Sequence, residues 1–120
     1  MTKSYKISNL STAGTNFTAT ITFNPAHPVF AGHFPGQPIV PGVVLVEASA
    51  AIVSRITGKE LIVKEASVIK FLHVIDPVQC PQVIIDGSIV EEEAWYKADM
   101  TFSLAETIYL KIKGLRLAQQ

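Results

Sequence analysis

From Val43 to Val53 the chain is apolar at almost every position, interrupted only by Glu47, Ser49 and small alanines. The run is too short for a bilayer, which needs ~20 such residues. Pro41 and Gly42 precede it and Gly58 follows Thr57, so the pattern predicts a helix from about Gly42 to Ile56. Valine, leucine and alanine lie on nearly every face of that helix rather than in one stripe, and a helix apolar all round has to be surrounded by protein. A central, buried helix is expected.

Elsewhere the period is two. Phe17, Ala19, Ile21 and Phe23 alternate with Asn16, Thr18, Thr20 and Thr22, the pattern of a strand with one face on a core and one in water. Between Ala94 and Leu104 the even positions are apolar or aromatic, while Lys97, Asp99, Thr101 and Ser103 point the other way. Ile108, Leu110 and Ile112 continue on even positions, but Leu115 and Leu117 are odd, which predicts one inserted residue, a bulge near Gly114. Ser67 to Leu72 and Val83 to Val90 complete about five strands, with no crossover helix between successive ones. The economical arrangement is α+β, a mostly antiparallel sheet wrapped round one buried helix.

At 120 residues the chain is expected to form a single domain over 1–120, with no repeat and no linker. Hydrophobic residues make up 48% and charged residues 17% of it, which excludes intrinsic disorder. Ten basic residues balance ten acidic ones, so the excess positive charge that drives nucleic-acid or anionic-lipid binding is missing. The lone Cys80 cannot form an internal disulfide, and MTKSYKISNL lacks the apolar core of a signal peptide. A reducing, cytoplasmic compartment is the expectation.

Candidate chemistry is concentrated in residues 24–41, NPAHPVFAGHFPGQPIVP, where five prolines and two glycines set the path of an irregular loop feeding the helix. His33 lies in this loop. Glu47 stands fourteen residues further on, one turn into the helix, as the only charged residue between His33 and Arg55. A carboxylate on an apolar helix is costly to ionise, so desolvation is expected to favour its protonated form beside the imidazole. Gly42, at the first turn, offers an N–H without an intrahelical partner and no side chain to hinder a carbonyl oxygen. Base, acid and oxyanion donor together suit proton abstraction beside a thioester carbonyl followed by loss of hydroxide as water.

The run GHFPGQPIVPGVVLVEA, Gly32 to Ala48, closely resembles the active-site motif of (3R)-hydroxyacyl-ACP dehydratases of the FabZ and FabA type, which have the hotdog fold. His33, Phe34, Pro35, Gly36, Pro38, Pro41, Gly42 and Glu47 fall at that family's spacing, within 17 of the 120 residues. The resemblance implies that His33 and Glu47 catalyse dehydration and that the Gly42 N–H polarises the thioester carbonyl. It also implies an acyl carrier protein bearing a phosphopantetheine thioester as partner, and a homodimer, or else a hexamer. In that dimer two sheets join and His33 of one chain faces Glu47 of the other.

Two departures stand out. Ala51 replaces a glutamine common in FabZ proteins, and Lys70 to Pro77 reads KFLHVIDP without the usual basic pair. They point to a diverged member serving a specialised acyl chain such as an aryl polyene, as ApeI-type dehydratases do. Phe34, Ala48 and Ala51 are candidate walls of an apolar acyl tunnel, and Arg55, Lys59 and Lys70 are candidate contacts for an acidic carrier.

No cofactor is called for. His27 and His33 lack a third ligand at useful spacing for a metal. His27 and His73 read as structural, Ser49 and Ser54 as packing residues, Glu91 to Glu93 as a solvated hairpin turn, and Trp95 as cover for the outer sheet face or an oligomer contact. Two other functions fit the same residues: a hotdog thioesterase that hydrolyses the thioester, and a noncatalytic acyl-carrier-binding subunit.

Overall fold

The computed structural model describes residues 3–31 and 36–120. Among these residues six strands, β1 (Tyr5–Ala13), β2 (Asn16–Phe23), β3 (Leu61–Phe71), β4 (Gln82–Glu91), β5 (Tyr96–Leu104) and β6 (Thr107–Gln119), accompany one α-helix, α1 (Gly42–Thr57), and a short 3-10 turn at Pro28–Ala31. The strands form a single sheet in the order β1-β2-β4-β5-β6-β3, every neighbouring pair antiparallel. Phe17, Ile21 and Phe23 of β2, Val83 and Ile85 of β4, Phe102 of β5 and Leu110, Leu115 and Leu117 of β6 are buried on the face that receives α1. This is the antiparallel sheet on one helix that the alternation predicts, and the hotdog fold that the motif resemblance implies.

Period-two patterning recovers the sheet's interior better than its margins. The sequence reading omits β1, where only Ile7 is buried, and starts β3 six residues late, at Ser67 rather than Leu61. Both are edge strands, each paired on one side only. With little of either strand packed on the core, alternation is not enforced and the signal is lost. The fifth strand starts at Tyr96 rather than Ala94, because Ala94 and Trp95 belong to the connection from β4, closed by the Glu92 N–H on the Trp95 carbonyl at 2.8 Å.

The bulge is present. From Ala98 to Met100 β5 advances two residues while β6 advances three, from Leu115 to Ile112. Gly114 takes the left-handed φ of 64° that the extra residue needs, and its N–H donates to Asp99 Oδ1 at 2.8 Å. The inserted residue switches the inward set from even to odd positions, which keeps both Ile112 and Leu115 in the core.

A second glycine is required by packing. Gly87 faces Phe17 across β2 and β4, and a Cβ there would strike the Asp99 carbonyl oxygen and two carbons of the Phe17 ring at 2.7 Å. Gly87→Ala is therefore expected to destabilise the fold by about 1–3 kcal/mol, read as a lower urea midpoint at unchanged slope.

The helix itself departs from expectation. Val44, Leu45, Ala48, Ser49, Ile52 and Val53 are buried against the sheet, but Glu47 and Arg55 are exposed and Val43 is 71% exposed. All-round burial is thus not met within one chain. A single sheet covers one side of a helix, and the apolar residues on the other side are left without cover from this chain.

Candidate active site

The proline-rich segment is anchored on both sides of residues 32–35. Asn24 opens it, its Oδ1 accepting the Ala26 N–H at 3.2 Å and its carbonyl the His27 N–H at 3.0 Å. His27 Nδ1 accepts the Val29 N–H at 3.1 Å, the structural role expected of it. Phe30 is buried edge-on to Phe23, ring centroids 6.0 Å apart, and its carbonyl accepts the Ile39 N–H at 3.2 Å. The Val40 N–H donates to the Ile75 carbonyl at 2.9 Å, which delivers the chain to Pro41 and the helix. His33 and Phe34, singled out by the sequence as base and tunnel wall, lie outside the described residues.

Gly42 is the first residue of α1. Pro41 precedes it with an extended backbone and makes no side-chain cap, so the first-turn amides lack a side-chain acceptor there. A Cβ on Gly42 would meet the Phe71 ring at 2.7 and 2.9 Å. The missing side chain therefore admits the aromatic end of β3 to the helix start, a contact that the sequence does not announce. Around it Val40, Leu45, Phe71, Leu72 and Val74 help to line an apolar groove of 340 Å³.

Glu47 occupies the open face of the helix one turn further on. The burial expected for its carboxylate is not found in the single chain, because the residues facing the sheet are its neighbours Leu45, Ala48 and Ser49. Its described polar contact is with Tyr5 of β1, whose hydroxyl donates to Oε1 at 3.5 Å, a long and weak bond. Burial raises the Tyr5 phenol above its ordinary value of 10, and the negative charge of Glu47 and its hydrogen bond raise it further, against a downward pull from Arg55. Because the folded phenol holds its proton more tightly than the unfolded one, this contribution to stability is present below pH 10 and is lost as pH rises through the folded value. Replacing Glu47 by Gln removes the charge, so the Tyr5 ionisation is expected to move down toward 10, followed by phenolate absorbance with Tyr5→Phe as the blank.

The remaining candidates divide. Ala48 is fully buried against the sheet and lines no described cavity, whereas Ala51 is half-buried and lines a groove of 640 Å³ between α1 and the first two strands. Of the three candidate docking cations, Arg55 lines that groove. Lys59 instead stands 5.4 Å from the centre of the Tyr96 ring, and Lys70 lies exposed on β3. Lys3, Tyr5 and Lys6 line the same groove and were missed by the sequence reading. Their only signal was a basic, tyrosine-containing N-terminal segment, KSYK, with no partner in sequence to give it meaning.

Ser49 and Ser54 are satisfied structurally. Ser49 Oγ donates to the Leu45 carbonyl at 2.8 Å, and Ser54 Oγ accepts the Leu61 N–H at 3.0 Å, tying the helix end to β3. Trp95 covers the outer sheet face under the Arg116 guanidinium, 4.1 Å from its centre, and Arg116 pairs with Glu65 at 2.7 Å. Among the described residues no three His, Cys, Asp or Glu side chains come together as a metal site, and no helix is long and apolar enough to cross a membrane.

Residues 9–108 match the ApeI-like family, described as ApeI dehydratase. Among curated proteins, the 3-hydroxyacyl-[acyl-carrier-protein] dehydratase FabZ of Roseobacter denitrificans is 35% identical over 71 residues, 59% of this chain and 45% of that protein. The FabZ of Bartonella henselae is 27% identical over 99 residues, 82% of this chain and 62% of that protein. The chain spans less than half the length of the first of these relatives. Among solved structures, the dehydratase heterocomplex ApeI:P from Xenorhabdus doucetiae superposes with a TM-score of 0.70 at 16% identity, covering 99% of this chain and 100% of that one.

Proposed function

The chain belongs to the ApeI-like dehydratase family, and from that membership we propose that it converts (3R)-3-hydroxyacyl thioesters on an acyl carrier protein to trans-2-enoyl thioesters and water. The observation that carries the reading is the position of Glu47 on the open side of α1, one turn from a helix start at Gly42 that has no side-chain cap. A carboxyl buried in the core could reach no substrate. Glu47 can.

In the proposed reaction His33 takes the proton from the carbon beside the thioester carbonyl, and the electron pair moves toward the carbonyl oxygen, held by the Gly42 N–H. As the enolate collapses to the carbon–carbon double bond, the bond from the β-carbon to its hydroxyl breaks. Protonated Glu47 delivers a proton to the departing oxygen, so water leaves. His33 ends protonated and Glu47 ionised, and a proton passing from one to the other through solvent restores the starting state. Incubation with 3-hydroxyacyl carrier protein should show loss of one water by mass spectrometry and no free thiol. Thiol release would make the protein a thioesterase instead.

The proposed assembly is a homodimer. Val43, Phe71 and Val74 are 71, 57 and 74% exposed, and they cluster where α1 begins and the edge strand β3 ends. An apolar patch beside an unpaired strand edge is a poor surface to leave in water. A second copy joined there would cover it and would take Glu47 partly out of solvent, the cover that one chain lacks. The Xenorhabdus doucetiae dehydratase is a heterocomplex, which supplies the alternative outcome: activity appearing only when a second hotdog chain is added would make the partner a different protein. A specialised acyl chain such as an aryl polyene fits Ala51 and the KFLHVIDP segment, and a reducing, cytoplasmic setting fits the buried free thiol of Cys80.

A further inference from the structure

We propose that the acyl chain taken by this site ends in a carboxylate, seated in the groove between α1 and the first two strands against Lys3, Lys6 and Arg55. The inference rests on the dehydratase reading, which sets where the chain enters, and it names the class of the substrate. The groove, at 640 Å³, is lined by three cations, and among the described residues none of its lining groups is a carboxylate. In a chain whose ten basic and ten acidic residues balance, that is a local separation of charge. A positive cleft of this kind concentrates anions.

The site sets the direction of the chain. With the thioester carbonyl at the Gly42 N–H and the β-hydroxyl at Glu47, the acyl group advances toward the C-terminal end of α1. The positions next met on the Glu47 side are Ala51, Ser54 and Arg55, at i+4, i+7 and i+8, and all three line the groove. Tyr5 marks the join, since it lines the groove and its hydroxyl reaches Glu47. Glu47 and Arg55 stand ~12 Å apart along the helix axis, and an extended chain advances ~1.2 Å per bond. Because the arginine side chain leans back toward the helix start, the end of the acyl chain meets it about six to ten bonds past the β-carbon. Ile7, Phe23 and Ala51 line the groove for the methylenes, but a methyl end among three cations would strip them of water and pair none. A carboxylate end pairs them. Arg55 Nη1 donates to the Ile7 carbonyl at 3.4 Å, which holds the guanidinium against β1 and leaves its other donors free of any described carboxylate. That planar fork matches the two oxygens of a carboxylate better than the single oxygen of a phenol.

Thioesters of pantetheine test the groove with neither carrier protein nor phosphate present to engage the cations. The substrates are 3-hydroxydodecanedioyl-pantetheine, its terminal methyl ester and the methyl-ended 3-hydroxydodecanoyl-pantetheine. The terminal carboxylate should raise kcat/KM about tenfold over the ester, as three partly screened ion pairs acting together allow, and the gap should shrink with added salt. The ratio should fall to about one in the Lys3→Gln/Lys6→Gln/Arg55→Gln variant and survive in Arg55→Lys, which keeps the charge. Equal rates on carboxylate and ester, a preference for the methyl end, or a gap unchanged in the triple variant would overturn the proposal.

The path is tested apart from the charge. Ala51→Leu should cut kcat/KM for 3-hydroxydodecanedioyl-pantetheine far more than for 3-hydroxybutyryl-pantetheine, whose chain stops short of Ala51, and equal losses would overturn the route. Calorimetric titration of the same thioesters into the full chain separates the groove from the reaction. If the parental protein binds the carboxylate tighter than the ester through these cations yet dehydrates neither, the dehydratase reading fails while the groove stands. If it dehydrates all three substrates with no preference for the carboxylate, the dehydratase reading stands and the terminal carboxylate fails.

Discussion

Glu47→Gln is expected to slow dehydration of 3-hydroxyacyl carrier protein by ~100-fold or more, the scale of a lost general acid, with the protein still folded. The two halves of that expectation have separate causes. Glutamine keeps the size and a hydrogen-bonding oxygen but has no acidic proton to give the leaving hydroxyl. Folding is spared because Glu47 is exposed and its described bond, from Tyr5 at 3.5 Å, is too long to contribute much. Loss of rate without loss of thermal midpoint therefore marks chemistry rather than support. Glu47→Asp should retain part of the rate, since the acid survives on a shorter stem. A parental rate in folded Glu47→Gln would make this an ordinary surface carboxylate and remove the proposed mechanism.

The residues that organise the fold were legible where burial enforces a period. Phe17 to Phe23 and Ala98 to Phe102 alternate because one side of each strand is sealed by the helix, and the parity switch between Ile112 and Leu115 betrayed the bulge at Gly114. The edges β1 and β3 were poorly legible for the converse reason, having one neighbour each and few buried side chains. The start of the helix could be read from Pro41 and Gly42, and its end from Gly58, which takes the left-handed φ of 73° that stops it. Its environment could not be read in the same way. Apolar residues on all sides say that a helix is covered, but they do not say by which chain, and only the face carrying Leu45, Ala48 and Ile52 is covered from within.

The site was legible in the same uneven way. Glu47 and Gly42 are close in sequence and on one helix, so their relation follows from helical geometry alone. Tyr5 and the groove cations Lys3 and Lys6 reach α1 only through the pairing of β1 with β2, a long-range consequence that no local pattern carries. Phe71 illustrates the same limit, since the sequence gives no reason to place it against Gly42.

Mixed dimers should regain about half of the parental activity when His33→Ala chains are combined with Glu47→Ala chains, although either variant alone is inactive. The recovery follows from counting sites. If each site takes its histidine from one chain and its acid from the other, a heterodimer has one site with both losses and one with neither. If both residues come from one chain, every site in the heterodimer carries one loss and no activity returns. The exposed face of Glu47, the apolar patch at Val43, Phe71 and Val74, and the unpaired edge of β3 are what such a shared site requires of each half. Differently tagged chains, co-expressed and purified through both tags, exclude either homodimer from the measurement. Persistent inactivity of that verified heterodimer, with both parents folded, would place the histidine and the acid in one chain and leave the apolar patch with no part in completing the site.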